Sequence, residues 1–323
     1  MMKQQIIKAI EAYQVIYIYR HERPDPDAIG SQAGLAALIK ANYPEKQVVL
    51  MGEDDESMHF LARMNKDTDE KPSGDALVIV CDTANTERID GEGSEDGGKR
   101  IKIDHHPEVE SYGDISWVQT ESSSTCEMLV GLALEGESVF KWQIPADAAR
   151  LLYAGIVGDT GRFQFSNTTP ETLRCAAEML EYDFDAAELI TRFYKSEEKL
   201  VRFRGEVLTN FTLTGNGLGY MYITNDMLER YRLTVNESSA VINSFSDTEG
   251  LKAWVFFVED TENQNYRVRL RSKGPVINEV AQNHNGGGHP MASGAKAKDK
   301  KETEDILEEL DMLCKSYKET PDK

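Results

Sequence analysis

The first part of the chain alternates short apolar runs with helical segments, and this order constrains the fold most. Val15–Tyr19 reads VIYIY, and similar runs follow at Val48–Met51, Ala76–Cys81 and Arg100–Ile103. Runs of this length predict buried strands, and helical segments between them predict parallel pairing. The sequence therefore predicts an α/β domain with a mostly parallel sheet, whose functional loops follow the carboxyl ends of the strands.

Helical patterns fill the spaces between these runs and continue after them. The pair Asp25-Pro26 predicts a capped helix start, because aspartate is a favoured N-cap and proline a favoured first residue. Further helical patterns cover residues 123–134, 146–157, 170–182 and 185–194.

A second, smaller α/β domain is expected after residue 211. The stretch Ser196–Phe211 is charged and predicts a connecting helix. Strand patterns follow at 219–224, 251–258 and 266–271, and helical patterns at 237–243 and 275–283. The expected organisation is a catalytic domain at 1–190, a connecting helix at 191–211, and a substrate-binding domain at 212–323.

The charge of the chain is strongly negative and unevenly spread. There are 36 Lys and Arg against 56 Asp and Glu, a formal charge of −20, and nearly all of the excess lies in residues 1–190. A non-specific binder of long nucleic acid needs a basic face, so long polyanions are not expected as favoured partners. A small anion held in a local pocket stays compatible with this charge.

Membrane insertion and secretion are not expected. The longest apolar runs have six residues, and a membrane span needs about 20. The first residues lack the apolar core of a secretory signal, and the four cysteines form no CxxC pair. These features predict a protein of the reducing cytoplasm.

Four acidic or histidine-rich patches fall where such a sheet would gather its functional loops. They are His21–Asp27, Asp82, Asp104-His105-His106 and Asp159. Taken singly, each has an ordinary explanation as a helix cap, a turn residue or a packed histidine. Taken together, converging carboxylates would repel one another unless cations lay between them. Carboxylate and imidazole ligands suit Mn²⁺ or a similar divalent ion.

The patches also resemble the motifs of a known family. HERPDPDAIGS, VCDT, DHH and GDTGRF resemble, in that order, the four motifs of the DHH phosphoesterases, and GGGHPMASG at 286–294 resembles their DHH-associated C-terminal domain. The similarity runs from about Tyr17 to Gly294 and is greatest to the stand-alone bacterial nanoRNase/pAp phosphatases.

This resemblance implies two Mn²⁺ ions held by six side chains. The ligands would be His21 and Asp25 for one ion, Asp27, His105 and Asp159 for the other, and Asp82 bridging both. Asp104 would orient a histidine, and His106 would contact the scissile phosphate. The residues themselves leave open which of the two histidines binds metal. Two ions about 3.5–4 Å apart would activate a hydroxide that attacks phosphorus.

The second domain carries a candidate anion pocket. On a strand, Arg267, Arg269 and Arg271 share one face, which is typical either of a solvated edge or of a phosphate site. The Gly-rich segment 286–288 predicts either a flexible turn or a close approach of backbone N–H groups to phosphate. In so acidic a protein we favour the anion site. The resemblance implies five substrate contacts, at Arg271, Ser272, Gly287, Gly288 and His289.

The segment after Asp159 contains three residues, Arg162, Phe163 and Phe165, that each have two interpretations. Arg162 would either neutralise phosphate charge in catalysis or pair with a carboxylate. Phe163 and Phe165 would either stack on a base or pack in the core.

The resemblance implies a hydrolase that degrades very short RNA to 5′-mononucleotides and converts 3′-phosphoadenosine 5′-phosphate (pAp) to AMP. The resemblance is compatible with a homodimer but does not require one. The same motifs also serve cyclic di-AMP or pApA phosphodiesterases and pyrophosphatases. A catalytically silent nucleotide-binding regulator is the alternative outside the enzymes, and the complete set of ligand motifs argues against it.

Overall fold

The computed structural model describes residues 2–64 and 71–318, and it divides the chain into two compact units, Met1–Tyr194 and Lys195–Lys323. The first unit contains five strands and six α-helices among its described residues. They are α1 (Met2–Ala12), β1 (Val15–Tyr19), α2 (Pro26–Asn42), β2 (Gln47–Leu50), β3 (Ala76–Cys81), β4 (Lys99–Asp104), β5 (Ile115–Val118), α3 (Thr125–Glu135), α4 (Ala146–Asp159), α5 (Pro170–Leu180) and α6 (Ala186–Tyr194).

The first sheet is parallel throughout, as the sequence predicts. Its order is β2-β1-β3-β4-β5, and Tyr17 of β1 lies opposite Val49 of β2 and Val78 of β3. All six residues of β3 are buried, which explains why that strand is apolar without alternation. The short strand β5 and the helix α1 were not predicted, since neither carries a long apolar run.

Glycines allow the helices of this unit to pack closely on one another. A Cβ atom at Gly30 of α2 would lie 2.6 Å from the carbonyl oxygen of Leu151 in α4. At Gly155 of α4 it would lie 2.2 Å from Cys126 Sγ and 2.7 Å from Asp27 Oδ1. The close approach of α2, α3 and α4 therefore depends on residues without side chains.

Replacing Gly155 by Ala should therefore disturb both packing and activity. The new methyl group would push against Asp27 and Cys126, so we expect a loss of about 1–3 kcal/mol in unfolding free energy and lower turnover. Urea unfolding and a hydrolysis assay measure the two effects. Gly205, a helical glycine with no atom within 4 Å of its Cβ position among the described residues, is the matched control. Gly205→Ala should be neutral or slightly stabilising, and an equally harmless Gly155→Ala would contradict the packing argument.

The second unit is built on a six-stranded mixed sheet. The described elements of this unit are α7 (Glu198–Asn210), β6 (Thr212–Leu213), β7 (Leu218–Ile223), α8 (Asn225–Tyr231), a 3-10 helix at Glu237–Val241, β8 (Ala253–Asp260), β9 (Asn265–Ser272), α9 (Asn278–Asn283), β10 (Gly287–His289), β11 (Ala292–Ala297) and α10 (Lys300–Ser316). The strand order is β10-β11-β9-β8-β7-β6, and only β7 and β8 of these strands pair in parallel.

Each face of the second sheet has its own core. Ile277, Ile306 and Leu310 belong to one, together with Val255 of β8. Phe203 and Val207 of α7 belong to the other. The helix predicted as a connector therefore contributes to the core of the second unit.

Two other features of this unit differ from the sequence-based expectation. The Gly-rich segment is a strand, β10, that pairs antiparallel with β11, so it is not the flexible turn that glycine alone suggests. The region predicted as a helix at 237–243 is a shorter 3-10 helix. In the described part of the chain, no helix has the length and apolarity of a membrane span.

Candidate active site

The four patches predicted from the sequence meet at the carboxyl edge of the parallel sheet. His21 lies just beyond β1, Asp82 follows β3, and Asp104 is the last residue of β4. Asp25 caps α2, with its Oδ1 accepting from the backbone N–H groups of Asp27 and Ala28 at 3.0 Å each. The helix α4 runs two residues further than predicted, so that Asp159 ends it.

Asp82 occupies the middle of this cluster. Its Oδ2 lies 3.4 Å from His21 Nε2, and its Oδ1 lies 3.5 Å from His105 Nε2. The residue is 1% exposed, and its φ of 52° places it in the left-handed region. The two oxygens of one carboxylate therefore face histidines from two different motifs, as a bridging ligand would require.

Ligand atoms around Asp82 form groups that could each hold a metal ion. In each group the nitrogen and oxygen atoms lie within 4.8 Å of one another. The groups are His21, Asp25 and Asp82; Asp27, His105 and Asp159; and Asp82, His105 and His106. The first two match the ligand sets that the family resemblance implies.

Asp27 is held in place by the start of a helix. Its Oδ2 accepts from Thr125 N at 2.7 Å and its Oδ1 from Cys126 N at 2.9 Å, both in the first turn of α3. Thr125 also donates through Oγ1 to Asp82 Oδ1 at 3.2 Å. The positive end of the α3 dipole thus faces two carboxylates that are otherwise buried together. Ser124 is the N-cap of α3. The contacts of Thr125 with Asp27 and Asp82 were not predicted from the sequence.

The pKa values of the groups in this cluster reflect an excess of negative charge. Burial raises the pKa of Asp27, and the neighbouring carboxylates of Asp82 and Asp159 raise it further. Burial alone would lower the pKa of His21, but contacts with Asp25 and Asp82 outweigh it and raise the pKa to about 10. His105 is raised to about 10 in the same way, chiefly by Asp159 and Asp27. A bound cation would be favoured in such a field.

His105 and His106 have different environments. His106 Nδ1 lies 2.9 Å from Asp104 Oδ1, so Asp104 orients His106. His105 Nδ1 lies 3.4 Å from the carbonyl oxygen of Ser122. Among the described residues, the buried Nε2 of His105 has no hydrogen-bond partner, although it lies 3.2 Å from Asp159 Oδ2. An unpartnered buried nitrogen between carboxylates is what a metal ligand would present, so the residues fit a divalent ion.

Lys102 lies beside Asp104, and its role was not predicted from the sequence. It is fully buried, 3.5 Å from Asp104 Oδ2, and it donates to the carbonyl oxygens of Ala84 and Glu110. The only sequence signal for it is its position on the inward-facing side of β4, two residues before Asp104.

The arginine row of β9 lines a cavity of about 400 Å³ in the second unit. Gly287, Gly288 and Asn236 also line it. The predicted alternation along β9 is confirmed, because Val268 and Leu270 are buried in the core whereas the three arginines are half-buried.

The arginines of this cavity lack compensating charge. No ion pair of Arg267, Arg269 or Arg271 with a carboxylate was found among the described residues. The buried Nε atoms of Arg267 and Arg269 have no hydrogen-bond partner in that part of the chain. Burial lowers the pKa of Arg269 to about 10, helped by repulsion from the arginines on either side. A cavity lined by uncompensated cations and spare donors is suited to an anion.

The other residues predicted to contact substrate have mixed surroundings. Ser272 donates to the carbonyl oxygen of Pro275 at 2.6 Å and accepts from Gly274 N at 3.0 Å, so its hydroxyl is used within a turn. A Cβ at Gly288 would lie 2.7 Å from the carbonyl oxygen of Ala292, whereas Gly287 faces open space. His289 is exposed.

Comparison with known proteins agrees with this geometry. The DHH family N-terminal domain matches residues 15–156, and the DHHA1 domain matches residues 218–316. A protein of Bacillus subtilis named bifunctional oligoribonuclease and PAP phosphatase NrnA is 46% identical over 98% of this chain and 100% of its own length. The chain belongs to the DHH family. The predicted family and its two-domain α/β architecture are thereby confirmed.

Two further relatives extend the comparison. A Streptococcus mutans protein, named probable bifunctional oligoribonuclease and PAP phosphatase NrnA, is 44% identical over 96% of this chain and 98% of its own length. The crystal structure of an exopolyphosphatase-related protein from Bacteroides fragilis superposes with a TM-score of 0.83 at 24% identity, covering 98% of both chains. At that identity the structural similarity supports the DHH fold alone.

Proposed function

We propose that this protein is a Mn²⁺-dependent phosphoesterase that degrades very short RNA to 5′-mononucleotides and converts pAp to AMP. The Bacillus and Streptococcus relatives, matched almost from end to end, carry names for both activities. The observation that carries the proposal is Asp82, whose two oxygens face histidines of two separate ligand groups.

We assign the metal ligands as the family resemblance implies. His21 and Asp25 would hold one ion, Asp27, His105 and Asp159 a second, and Asp82 would be shared. The donors are carboxylate oxygens and imidazole nitrogens, which suit Mn²⁺. When bound, such a pair of ions lowers the pKa of a water molecule and neutralises charge on a reacting phosphate.

The remaining side chains would orient the phosphate. We assign His106, which Asp104 holds through Nδ1, to contact a non-bridging oxygen of the scissile group through Nε2. We propose that Arg162, three residues after Asp159, neutralises the charge that develops on the same phosphate during the reaction. In the second unit, we assign substrate contacts to Arg271, Ser272, Gly287, Gly288 and His289, the first of which lines the cation-rich cavity.

Both proposed reactions break the same kind of bond. In pAp and in an RNA dinucleotide, the bond that breaks joins phosphorus to the 3′ oxygen of a ribose. Water supplies the new oxygen on phosphorus, and the 3′ oxygen leaves with a proton. One active site can therefore serve both substrates without a change of mechanism. We further propose that the enzyme acts in the cytoplasm, and a homodimeric assembly stays a prediction.

A single panel of substrates tests this function against its alternatives. It contains pAp, an RNA dinucleotide, pApA, cyclic di-AMP and pyrophosphate, each with Mn²⁺ and with a chelator. We expect metal-dependent hydrolysis of pAp and the dinucleotide above all others. Preference for cyclic di-AMP or pyrophosphate would favour the other enzymes of the superfamily, and binding without hydrolysis of any member would indicate a regulator.

The charge distribution predicts a dependence on RNA length. In this acidic chain, the uncompensated arginines identified above line one cavity of about 400 Å³, so phosphates beyond the pocket should add little binding energy. Under equal nucleotide concentrations, RNAs of two to four residues should outcompete a 24-mer by at least about tenfold in kcat/KM. Equal or faster turnover of the 24-mer would contradict this reading of the surface.

Replacing Arg271 by Ala tests the cavity of the second unit. A charge-assisted contact with phosphate contributes about 1.5–3 kcal/mol, so KM for the dinucleotide should rise at least about tenfold. Hydrolysis of a small aryl phosphodiester should fall much less, because that substrate does not need a second phosphate contact. Arg202→Ala is the control, since Arg202 is an exposed arginine of the same unit that pairs with Glu198 on α7. Equal losses on both substrates would rule out this role for Arg271.

A further inference from the structure

Two phenylalanines in the turn after Asp159 have different environments. Phe163 packs against the core of the first unit, with its ring centroid 6.5 Å from that of Tyr153. Phe165, only two residues further on, is 59% exposed. The sequence left both residues open as core or base-stacking aromatics, and the structure packs Phe163, but not Phe165, against the core.

The turn that carries Phe165 has an unusual backbone. Gly161, Arg162 and Phe163 are consecutive residues with φ between 52° and 65°. Residues other than glycine adopt this left-handed region at an energetic cost, and such strain is concentrated at functional sites. Thr160 holds the turn, because its carbonyl oxygen accepts from Gln164 N at 3.0 Å and from Phe165 N at 2.9 Å.

The turn is also joined to the candidate metal ligands. It begins directly after Asp159, and Asn167 closes it by donating through Nδ2 to the carbonyl oxygen of Asp159 at 3.2 Å. The same amide lies 3.2 Å from the carbonyl oxygen of Ser123, in the segment that leads into α3. Phe165 is therefore held in a short turn that is fixed at both ends to the active-site edge.

The ring of Phe165 is supported on one side by Gly161. A Cβ atom at Gly161 would lie 2.5 Å from Cε1 and Cζ of the ring, so the backbone of a glycine is what the ring rests against. Phe165 is nevertheless 59% exposed. An aromatic ring that is held in position and still accessible is suited to stacking on a planar ligand.

We propose that Phe165 stacks on a nucleobase of the substrate and so selects nucleotides over other phosphoesters. The proposal rests on the proposed function and extends it by naming the part of the first unit that would recognise the base. Stacking is tolerant of sequence because every base has a π face. The same contact would thus serve pAp, which has one base, and dinucleotides of any sequence.

The test compares substrates with and without a base. The substrates are a 5′-phosphorylated RNA dinucleotide and two analogues, each lacking one of the two bases. For Phe165→Ala and Phe165→Leu, kcat/KM on the dinucleotide should fall about tenfold or more. The ratio of kcat/KM for the dinucleotide to that for one of the analogues should fall by a similar factor. Phe165→Tyr, which keeps the ring, should restore most of this ratio.

A matched control and a spectroscopic measurement separate stacking from a structural role. Leu173 is a comparably exposed apolar residue of α5, 50% exposed, and Leu173→Ala should leave the ratio unchanged. In Phe165→Trp, a dinucleotide with a methylene group in place of its 3′ oxygen should quench the tryptophan fluorescence. The native tryptophans Trp117, Trp142 and Trp254 are each less than 9% exposed and should contribute little to this change.

The outcomes distinguish this proposal from the proposed function. If the unchanged protein hydrolyses the dinucleotide but Phe165→Ala keeps the substrate ratio, stacking at Phe165 is wrong while the function stands. Equal losses on the dinucleotide and both analogues, or a loss that Phe165→Tyr does not restore, would also overturn it. If the unchanged protein does not hydrolyse the dinucleotide at all, the proposed function itself fails.

Discussion

Replacing Asp82 by Asn is expected to lower kcat for both the RNA dinucleotide and pAp by about a thousandfold or more. A thousandfold loss corresponds to about 4 kcal/mol of transition-state stabilisation. The expectation follows from the position of this carboxylate between His21 and His105, at 3.4 and 3.5 Å. An amide has one oxygen and no charge, so it cannot replace a carboxylate that is shared between two ligand groups.

Asparagine is a better probe at this position than alanine. The φ of Asp82 is 52°, and asparagine tolerates the left-handed region more readily than alanine does. The variant should therefore keep its fold, which circular dichroism and urea unfolding would verify. Calorimetric titration with Mn²⁺ should show weaker binding or fewer bound ions.

Asp75 provides a matched control for this experiment. It is an exposed aspartate just before the first residue of β3, whereas Asp82 follows the last residue of the same strand. Asp75→Asn should keep full activity. If Asp82→Asn retained activity within tenfold of the unchanged enzyme, its assignment as a shared ligand would have to be abandoned.

Removing metal ions should make the stability of the protein fall as pH rises. When no metal is bound, contacts with carboxylates raise the pKa values of His21 and His105 from 6.5 to about 10. A group with a raised folded-state pKa contributes stability that is fully present below its unfolded pKa and is lost as pH rises through the folded pKa. Between pH 6.5 and 8.5, the unfolding free energy of the chelated protein should therefore decrease by a few kcal/mol.

Bound Mn²⁺ should weaken this pH dependence. An imidazole that binds metal must be deprotonated, so rising pH favours the metal complex while it destabilises the metal-free protein. The shift in melting temperature produced by Mn²⁺ should thus grow from pH 6.5 to 8.5. Urea and thermal unfolding at several pH values, with Mn²⁺ and with a chelator, measure both effects.

A histidine variant isolates the contribution of the active site. His284 lies between Glu302 and Glu309, and these contacts also raise its pKa, so it adds to the same trend. His21→Gln should reduce the pH dependence of the chelated protein without touching that second cluster. A stability that stays flat or rises from pH 6.5 to 8.5 in chelator would contradict the electrostatic account.

The ligand cluster could be predicted because it lies in short motifs at the ends of recognisable strands. β1, β3 and β4 are marked by apolar runs, and parallel pairing brings their carboxyl ends to one edge. The cap of α2 was readable from Asp25-Pro26, and the resemblance to the family supplied the ligand sets. The structure brings all six predicted ligand side chains together in the groups described above.

The residues that support the ligands could not be predicted in the same way. Thr125 contacts Asp27 across nearly a hundred residues of sequence, and Lys102 reaches Asp104 only because β4 turns both side chains inward. Such contacts depend on the packing of α3 against α2 and on the burial of β4, which no local pattern encodes. The sequence also does not show which of the two adjacent histidines pairs with Asp104, because the two are equivalent in sequence.

The second unit shows a similar limit. The arginine row of β9 follows from strict alternation and was predictable. The strand β10 was not, because glycine has low strand propensity and its pairing is imposed by β11. Gly288 illustrates the reason, since a side chain there would collide with the backbone of Ala292. Tertiary contact, rather than local preference, determines the structure of this segment.

Competition between the two proposed substrates tests the central claim most directly. If one active site hydrolyses both the RNA dinucleotide and pAp in Mn²⁺, each substrate must inhibit hydrolysis of the other competitively. Under conditions where KM reflects binding, the inhibition constant of each substrate must equal its own KM. We predict this result, together with loss of both activities in chelator. Hydrolysis of the dinucleotide that saturating pAp leaves unaffected would show that one site does not carry both reactions.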